Sequence, residues 1–113
     1  MTIKWVKVDP LVMNGEPFCY GTRLTVRQLL EERRNGFGLI ELIKDHPELR
    51  TVGIAAAYTY AAANRERYAD FFEADGSLAG PGYSEDEVAG LPEQYRVRGV
   101  VIKSAEPRAA ATT

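Results

Sequence analysis

The chain has one cysteine and one histidine in 113 residues. It therefore forms no disulfide within itself, and a zinc site built from paired Cys and His ligands is excluded. A metal centre would have to rely on carboxylates. No stretch approaches the ~18 uninterrupted apolar residues of a membrane-crossing helix. The opening residues, MTIKWVKVDP, hold neither a long apolar core nor a small-residue cleavage site. No leader, no membrane partner and a cytoplasmic location are the expectations. An excess of one charge is missing too, since the net charge is −2. Residues 1–67 carry ten Lys/Arg against eight Asp/Glu, and residues 68–113 carry four against eight. A weakly basic front and an acidic rear do not by charge alone make a strong nucleic-acid binder.

With 45% apolar and 27% charged residues, the chain has enough for one core, and its length fits one domain with an appended arm. Residues 3–8, IKWVKV, alternate as a short strand does, and Asp9-Pro10 breaks them. Asn14-Gly15 and Glu16-Pro17 signal a turn, after which Phe18-Cys19-Tyr20 reads as a second short strand. Two strands alone are marginal in water, so they must lean on helices or on another chain.

A first helix is expected from about Thr25 to Asn35, opened by a Thr25/Gln28 capping box and presenting Val26, Leu29 and Leu30 on one face. Gly36 suits the left-handed position that follows. A second helix, about Leu39 to Asp45, stops before Pro47. A third starts with Thr51 as its cap and continues to about Ala74. Asp75 to Tyr83 reads as a glycine- and proline-rich link. Ser84 to Glu87 looks like another capping box opening two helical turns, Arg96 to Ile102 has strand composition, and SAEPRAAATT reads as a disordered tail. The domain reading is thus a trihelical unit over 1–74 and an arm or tail over 75–113, linked by 75–83. HPELR between the second and third helices has the length of a helix-turn-helix connection.

Read as a DNA-binding unit, the third helix would offer Arg50, Gly53, Ala56, Ala57, Tyr60 and Asn64 to a major groove, with Thr51 at its start. Alanines read little beyond a thymine methyl, and a good bidentate pair is worth ~1–3 kcal/mol, so weak sequence readout and a homodimer are expected. The same alanines equally suit a face packed on another subunit. Arg27, Arg33 and Arg34 with Lys4 and Lys7 form either a phosphate-facing patch or a solvated face shared with Glu31 and Glu32. In Gly21-Thr22-Arg23 the glycine permits the turn out of the strand and the threonine can bond a nearby backbone group. Arg23 sits before a helix start, where the helix dipole disfavours a cation. It should meet a carboxylate or carbonyl inside the protein, a phosphate, or a partner. Cys19 reads as a small buried hydrophobe and His46 as a helix-end polar group. As a thiol pair they lack any supporting oxyanion site, so no catalytic residue and no cofactor are expected.

In order, Gly15-x-Pro17-x-x-x-Gly21-Thr22-Arg23, Val26, Gly36, Pro47-x-Leu49 and Ala57-Tyr58-Thr59-Tyr60-Ala61 resemble the family known as domain of unknown function 433, over roughly Trp5 to Ala63. Departures are Thr25 and His46, where the family often has proline and tyrosine, and Gly38 in place of a Ser or Thr cap. The resemblance implies a mainly α, homeodomain-like or winged-helix-related three-helix helix-turn-helix core, here with a short N-terminal β-hairpin and a C-terminal arm. It further implies a VapB-type antitoxin that neutralises a PIN-like ribonuclease toxin and binds its operator DNA. On that reading Arg23, Arg27, Arg50, Thr51, Tyr60 and Asn64 contact DNA. Tyr95, Arg96, Arg98, Val100 and Ile102 contact the toxin, whose acidic metal-holding site an arginine could neutralise. The strand could instead add to a sheet edge of the partner, or pair with residues 3–8 of the same chain. The alternative function is a homo-oligomeric interaction module with no DNA role.

Overall fold

The computed structural model describes residues 5–11 and 15–103. Ile3, Lys4, the Asn14 half of the turn signal and the 104–113 tail lie outside the described residues. The first strand, β1, is Val6–Lys7 and the second, β2, is Phe18–Cys19; they pair antiparallel with Val6 opposite Cys19. Three helices follow, α1 at Val26–Arg34, α2 at Leu39–Asp45 and α3 at Thr51–Ala63. The expected mainly helical core with an N-terminal hairpin is present.

Local signals account for α1 and α2. Thr25 Oγ1 accepts from Gln28 N–H at 3.0 Å while Gln28 Oε1 accepts from Thr25 N–H at 2.9 Å, so the capping box closes as expected. Gly36, at φ +103°, lets the chain leave α1 through the left-handed region. At α2, Gly38 has no side chain to cap with, and only the returning half of a box forms, Glu41 Oε1 accepting from Gly38 N–H at 3.0 Å.

The third helix differs from expectation at both ends. Arg50, not Thr51, occupies its N-cap position, and no side chain caps it. It stops at Ala63 rather than near Ala74. Asn64 Nδ2 donates to Tyr60 O at 2.8 Å, a side-chain bond that competes with continued helix, and the chain breaks into turns. That break swings Phe71, which ends a 3-10 turn at Ala69–Phe71, and Tyr68 just before that turn into the core.

The C-terminal third adds neither the helix nor the strand expected of it. Ser84 and Glu87 do form their reciprocal bonds, at 2.8 and 3.2 Å, but close only a run of turns. Residues 96–102 make isolated bridges, Tyr83 to Ile102 and Arg98 to Ile102, because Gly99 at φ +84° bends the chain back on itself. No bridge joins them to β1 among the described residues. Instead Leu78, Tyr83, Val88, Leu91, Val100, Val101 and Ile102 enter the same apolar cluster as Leu29, Leu30, Ile54 and Tyr58.

Arg33 fastens this segment to the helices. It belongs to the buried face of α1, not to a phosphate-facing patch, and is 0% exposed. Its Nε donates to Ala79 O at 3.0 Å, Nη1 to Val100 O at 2.5 Å and Nη2 to Leu78 O at 3.2 Å. Its guanidinium also lies 4.5 Å from the Tyr58 ring centroid. Burial lowers its pKa from the ordinary value, with Tyr58 and Tyr83 opposing.

Candidate functional site

The helix that a helix-turn-helix lays in a major groove is here the centre of the molecule. Gly53 through Tyr58 are all buried, and a helix apolar all round belongs inside a protein. Trp5 covers Gly53, where an added Cβ would sit 3.4 Å from Trp5 Cε3. Gly53, Ala56 and Ala57 are therefore corrected from reading face to core, and they meet their own chain rather than a second subunit. Of the proposed readers, Arg50 is exposed and Thr51, Tyr60 and Asn64 are half-buried.

The six candidate DNA contacts divide between two faces. Arg27, Tyr60 and Asn64 border the first, made by α1 and the turns after α3. There Arg27 stands 5.1 Å from the Tyr68 ring centroid and 5.7 Å from that of Phe71, and Arg34 4.6 Å from Phe71. Arg65 stands 4.3 Å from Phe72 and Arg67 5.9 Å from Tyr68. One N–H of each of Arg27, Arg34 and Arg65 is tied to a backbone carbonyl, of Arg67, Asp70 and Gly76 respectively. Among the described residues only Arg67 of these four pairs with a carboxylate, Glu16 at 3.5 Å. A guanidinium has five N–H donors in a fixed fork, so most remain for an outside acceptor. Tyr60 buttresses the platform edge-on to Tyr68, with centroids 6.4 Å apart.

Arg23, Arg50 and Thr51 border the second face, where the end of the hairpin meets the α2–α3 turn. One concavity is lined by Trp5, Tyr20, Gly21, Glu48, Arg50 and Val52, and a second by Phe18, Gly21, Thr22, Arg23 and Glu48. Thr22 holds the turn as expected: its Oγ1 donates to Cys19 O and accepts from Leu24 N–H, both at 3.0 Å. Arg23 is exposed and has no hydrogen bond or ion pair among the described residues, so none of them supplies the internal anchor that was one of its three expected roles.

The proposed toxin contacts are largely engaged within the chain. Val100 and Ile102 are core. Arg96 Nε donates to Leu91 O at 3.0 Å and Nη2 to Ala89 O at 3.1 Å, closing the 84–91 turns. Arg98 pairs with Glu85 at 2.8 Å, both well exposed, and Tyr95 is half-buried. Burial pushes the Cys19 thiol up to about 12, which leaves no thiolate at neutral pH. His46 lies 3.0 Å from Glu32 Oε1 and tethers the end of α2 to α1. No group of three or more His, Cys, Asp or Glu capable of holding a metal exists among the described residues. Nor is any helix among them long and apolar enough to cross a membrane.

Sequence reading missed Arg65, Arg67 and Phe71 because residues 64–74 look like more of α3. The two arginines followed closely by three aromatic residues in NRERYADFF were the available signal. It missed the Trp5–Tyr20–Glu48 grouping because those residues come together only by tertiary packing.

Residues 6–61 match the model of the family described as protein of unknown function (DUF433), and over this span the chain belongs to that family. The crystal structure of a DUF433 member protein from Anabaena variabilis ATCC 29413 is similar, with TM-score 0.55 and 27% identity over 58% of this chain. The match spans 65% of that protein's length. No curated protein matches the chain. The family span holds the hairpin and nearly all of the three helices. The turns carrying Arg65, Arg67 and Phe71 lie beyond it.

Proposed function

We propose that this member of the family is an antitoxin-like nucleic-acid-binding protein that grips DNA phosphates through its arginine–aromatic face rather than through α3. The observation that carries this reading is the set of Arg27, Arg34, Arg65 and Arg67, each lying near an aromatic ring. Stacked guanidiniums lose little freedom on binding a phosphate, and backbone contacts of this kind position a protein without reading sequence. That agrees with the weak readout expected from an alanine-rich helix. For the toxin, the resemblance to VapB-type antitoxins is the support, and Arg98 is the arm residue whose single exposed pair is the easiest to exchange for an acidic nuclease site. A homodimer would double the phosphate contacts.

The test is anisotropy of a labelled duplex across a salt series, with Arg27→Gln/Arg34→Gln and Arg50→Gln variants checked for unchanged melting. The first variant should bind roughly tenfold more weakly and flatten the log–log salt slope by about two, and the second should bind as wild type. No binding at low salt, or a loss confined to the Arg50 variant, refutes the assignment.

One observation favours the alternative of a homo-oligomeric module with no DNA role. Glu31 shares the α1 stripe of Arg27 and Arg34, which dilutes the positive field, and Tyr20 and Ile40 are apolar side chains left exposed. Concentration-dependent dimerisation without duplex binding would select it.

A further inference from the structure

We propose that the second face, around Glu48, is a docking site for an acidic peptide segment that carries an apolar or aromatic side chain between its carboxylates. The proposal does not rest on the nucleic-acid reading, which uses the other face. Two adjoining hollows share Gly21 and Glu48. Arg50 borders one and Arg23 the other. Both guanidiniums are exposed and lack an ion pair among the described residues, and Lys7 stands 5.4 Å from the ring centroid of Tyr20, which lines the Arg50 hollow. Three cations against one carboxylate make the face complementary to a short acidic segment.

The apolar part is preformed. Tyr20 N–H donates to Trp5 O at 2.8 Å, and the two rings stand edge to face with centroids 6.1 Å apart. Tyr20 is 49% exposed and Val52 half-buried, so the wall of the hollow is wet in the free protein. An apolar side chain seated there would displace that water, and aromatic anchors with an arginine rim are the usual centre of an interface. Glu48 decides between ligand classes. A carboxylate shared by the two hollows repels a continuous run of phosphates, whereas it can accept a backbone N–H from a peptide whose own carboxylates reach Arg23 and Arg50.

The chain's single tryptophan is Trp5, so its emission reports this face without any label. The test titrates the full-length protein with the capped peptide Glu-Asp-Phe-Asp-Glu and with its amide counterpart Gln-Asn-Phe-Asn-Gln. The acidic peptide should give a saturable emission change below about 1 mM, with the amide peptide at least about tenfold weaker. The Arg23→Gln/Arg50→Gln double variant, whose melting should match wild type because neither side chain has a partner among the described residues, should bind the acidic peptide at least about tenfold more weakly. No saturable response, an equal response to both peptides, or an unchanged double variant would each overturn the proposal. So would a short duplex that competes more tightly than the acidic peptide, since phosphate would then be the ligand. A dimer that the double variant dissolves while the peptide fails to bind would hand the face to a second copy.

Discussion

Gly80 lies against the backbone of Arg33, so that a β-carbon on Gly80 would collide with the Arg33 carbonyl and come within 2.7 Å of its Cγ. The glycine also sits at φ +92°, a conformation that side-chain-bearing residues seldom adopt. Close approach and positive φ therefore demand the same residue. Gly80→Ala should lose about 3 kcal/mol or more, at the severe end of single substitutions. Urea denaturation measures it, and a loss below about 1 kcal/mol would mean that the segment does not hold this position.

Arg33 itself is a buried cation satisfied by carbonyl dipoles instead of a carboxylate. Arg33→Met relieves the desolvation of the charge but strands the carbonyls of Ala79 and Val100, at about 1–3 kcal/mol each. Leu78 O keeps a donor, Lys103 Nζ at 2.7 Å. A net loss of about 2–4 kcal/mol is expected. The diagnostic is where it appears. Amide exchange at Leu78, Tyr83 and Val101, whose N–H groups bond within the strapped segment, should accelerate more than exchange in α1 and α3. Uniform acceleration would remove the fastening role.

These contacts also mark where sequence reasoning stops. The Thr25/Gln28 box, the Gly36 exit and the end of α2 before Pro47 depend on neighbours within a few residues, and each is readable from the chain. The end of α3 depends on one side chain, Asn64 bonding back to Tyr60 O, against a sequence whose propensity favours continued helix. Arg33 looks like a surface residue between Glu32 and Arg34, since its acceptors lie 45 to 67 positions away. The same long-range packing brought Leu78, Tyr83, Val88, Leu91, Val100, Val101 and Ile102, expected in a link, a short helix and a strand, into the core. At the candidate sites Arg27 and Arg23 are visible in sequence, but the Tyr68–Phe71 platform and the Trp5–Tyr20 wall are not.

Alkaline pH should unfold the protein through groups that burial keeps neutral. Cys19 is pushed up from 9.0 to about 12 by burial, and Tyr58 from 10.0 to about 12, also by burial, with Arg33 pulling it back. A folded pKa raised above its unfolded value gives stability that is complete below the unfolded pKa and is lost as pH rises toward the folded one. Stability should fall from near pH 9, first through Cys19 and then through Tyr58, by several kcal/mol at pH 12. In Cys19→Ala the decline should begin near pH 10 instead. Denaturation midpoints across pH 7 to 12 decide it, and an unchanged onset would show that the thiol does not drive the first phase.

Tyr68 is 0% exposed, yet its hydroxyl has no hydrogen-bond partner among the described residues. A buried polar group without a partner is a standing cost, while the ring is what Arg27, Arg67 and Tyr60 pack on. The two parts of the side chain are therefore separable by mutation. Tyr68→Phe should raise stability by up to about 1 kcal/mol and leave duplex affinity unchanged, because a phenyl face also holds a guanidinium. Tyr68→Ala should cost about 3–5 kcal/mol through the cavity it leaves, and weaken duplex binding along with the platform. A Tyr68→Phe protein that loses more than about 1 kcal/mol would show that the hydroxyl is bonded in solution. If it kept its stability but lost duplex affinity, the hydroxyl rather than the ring would be the group that serves the arginine face.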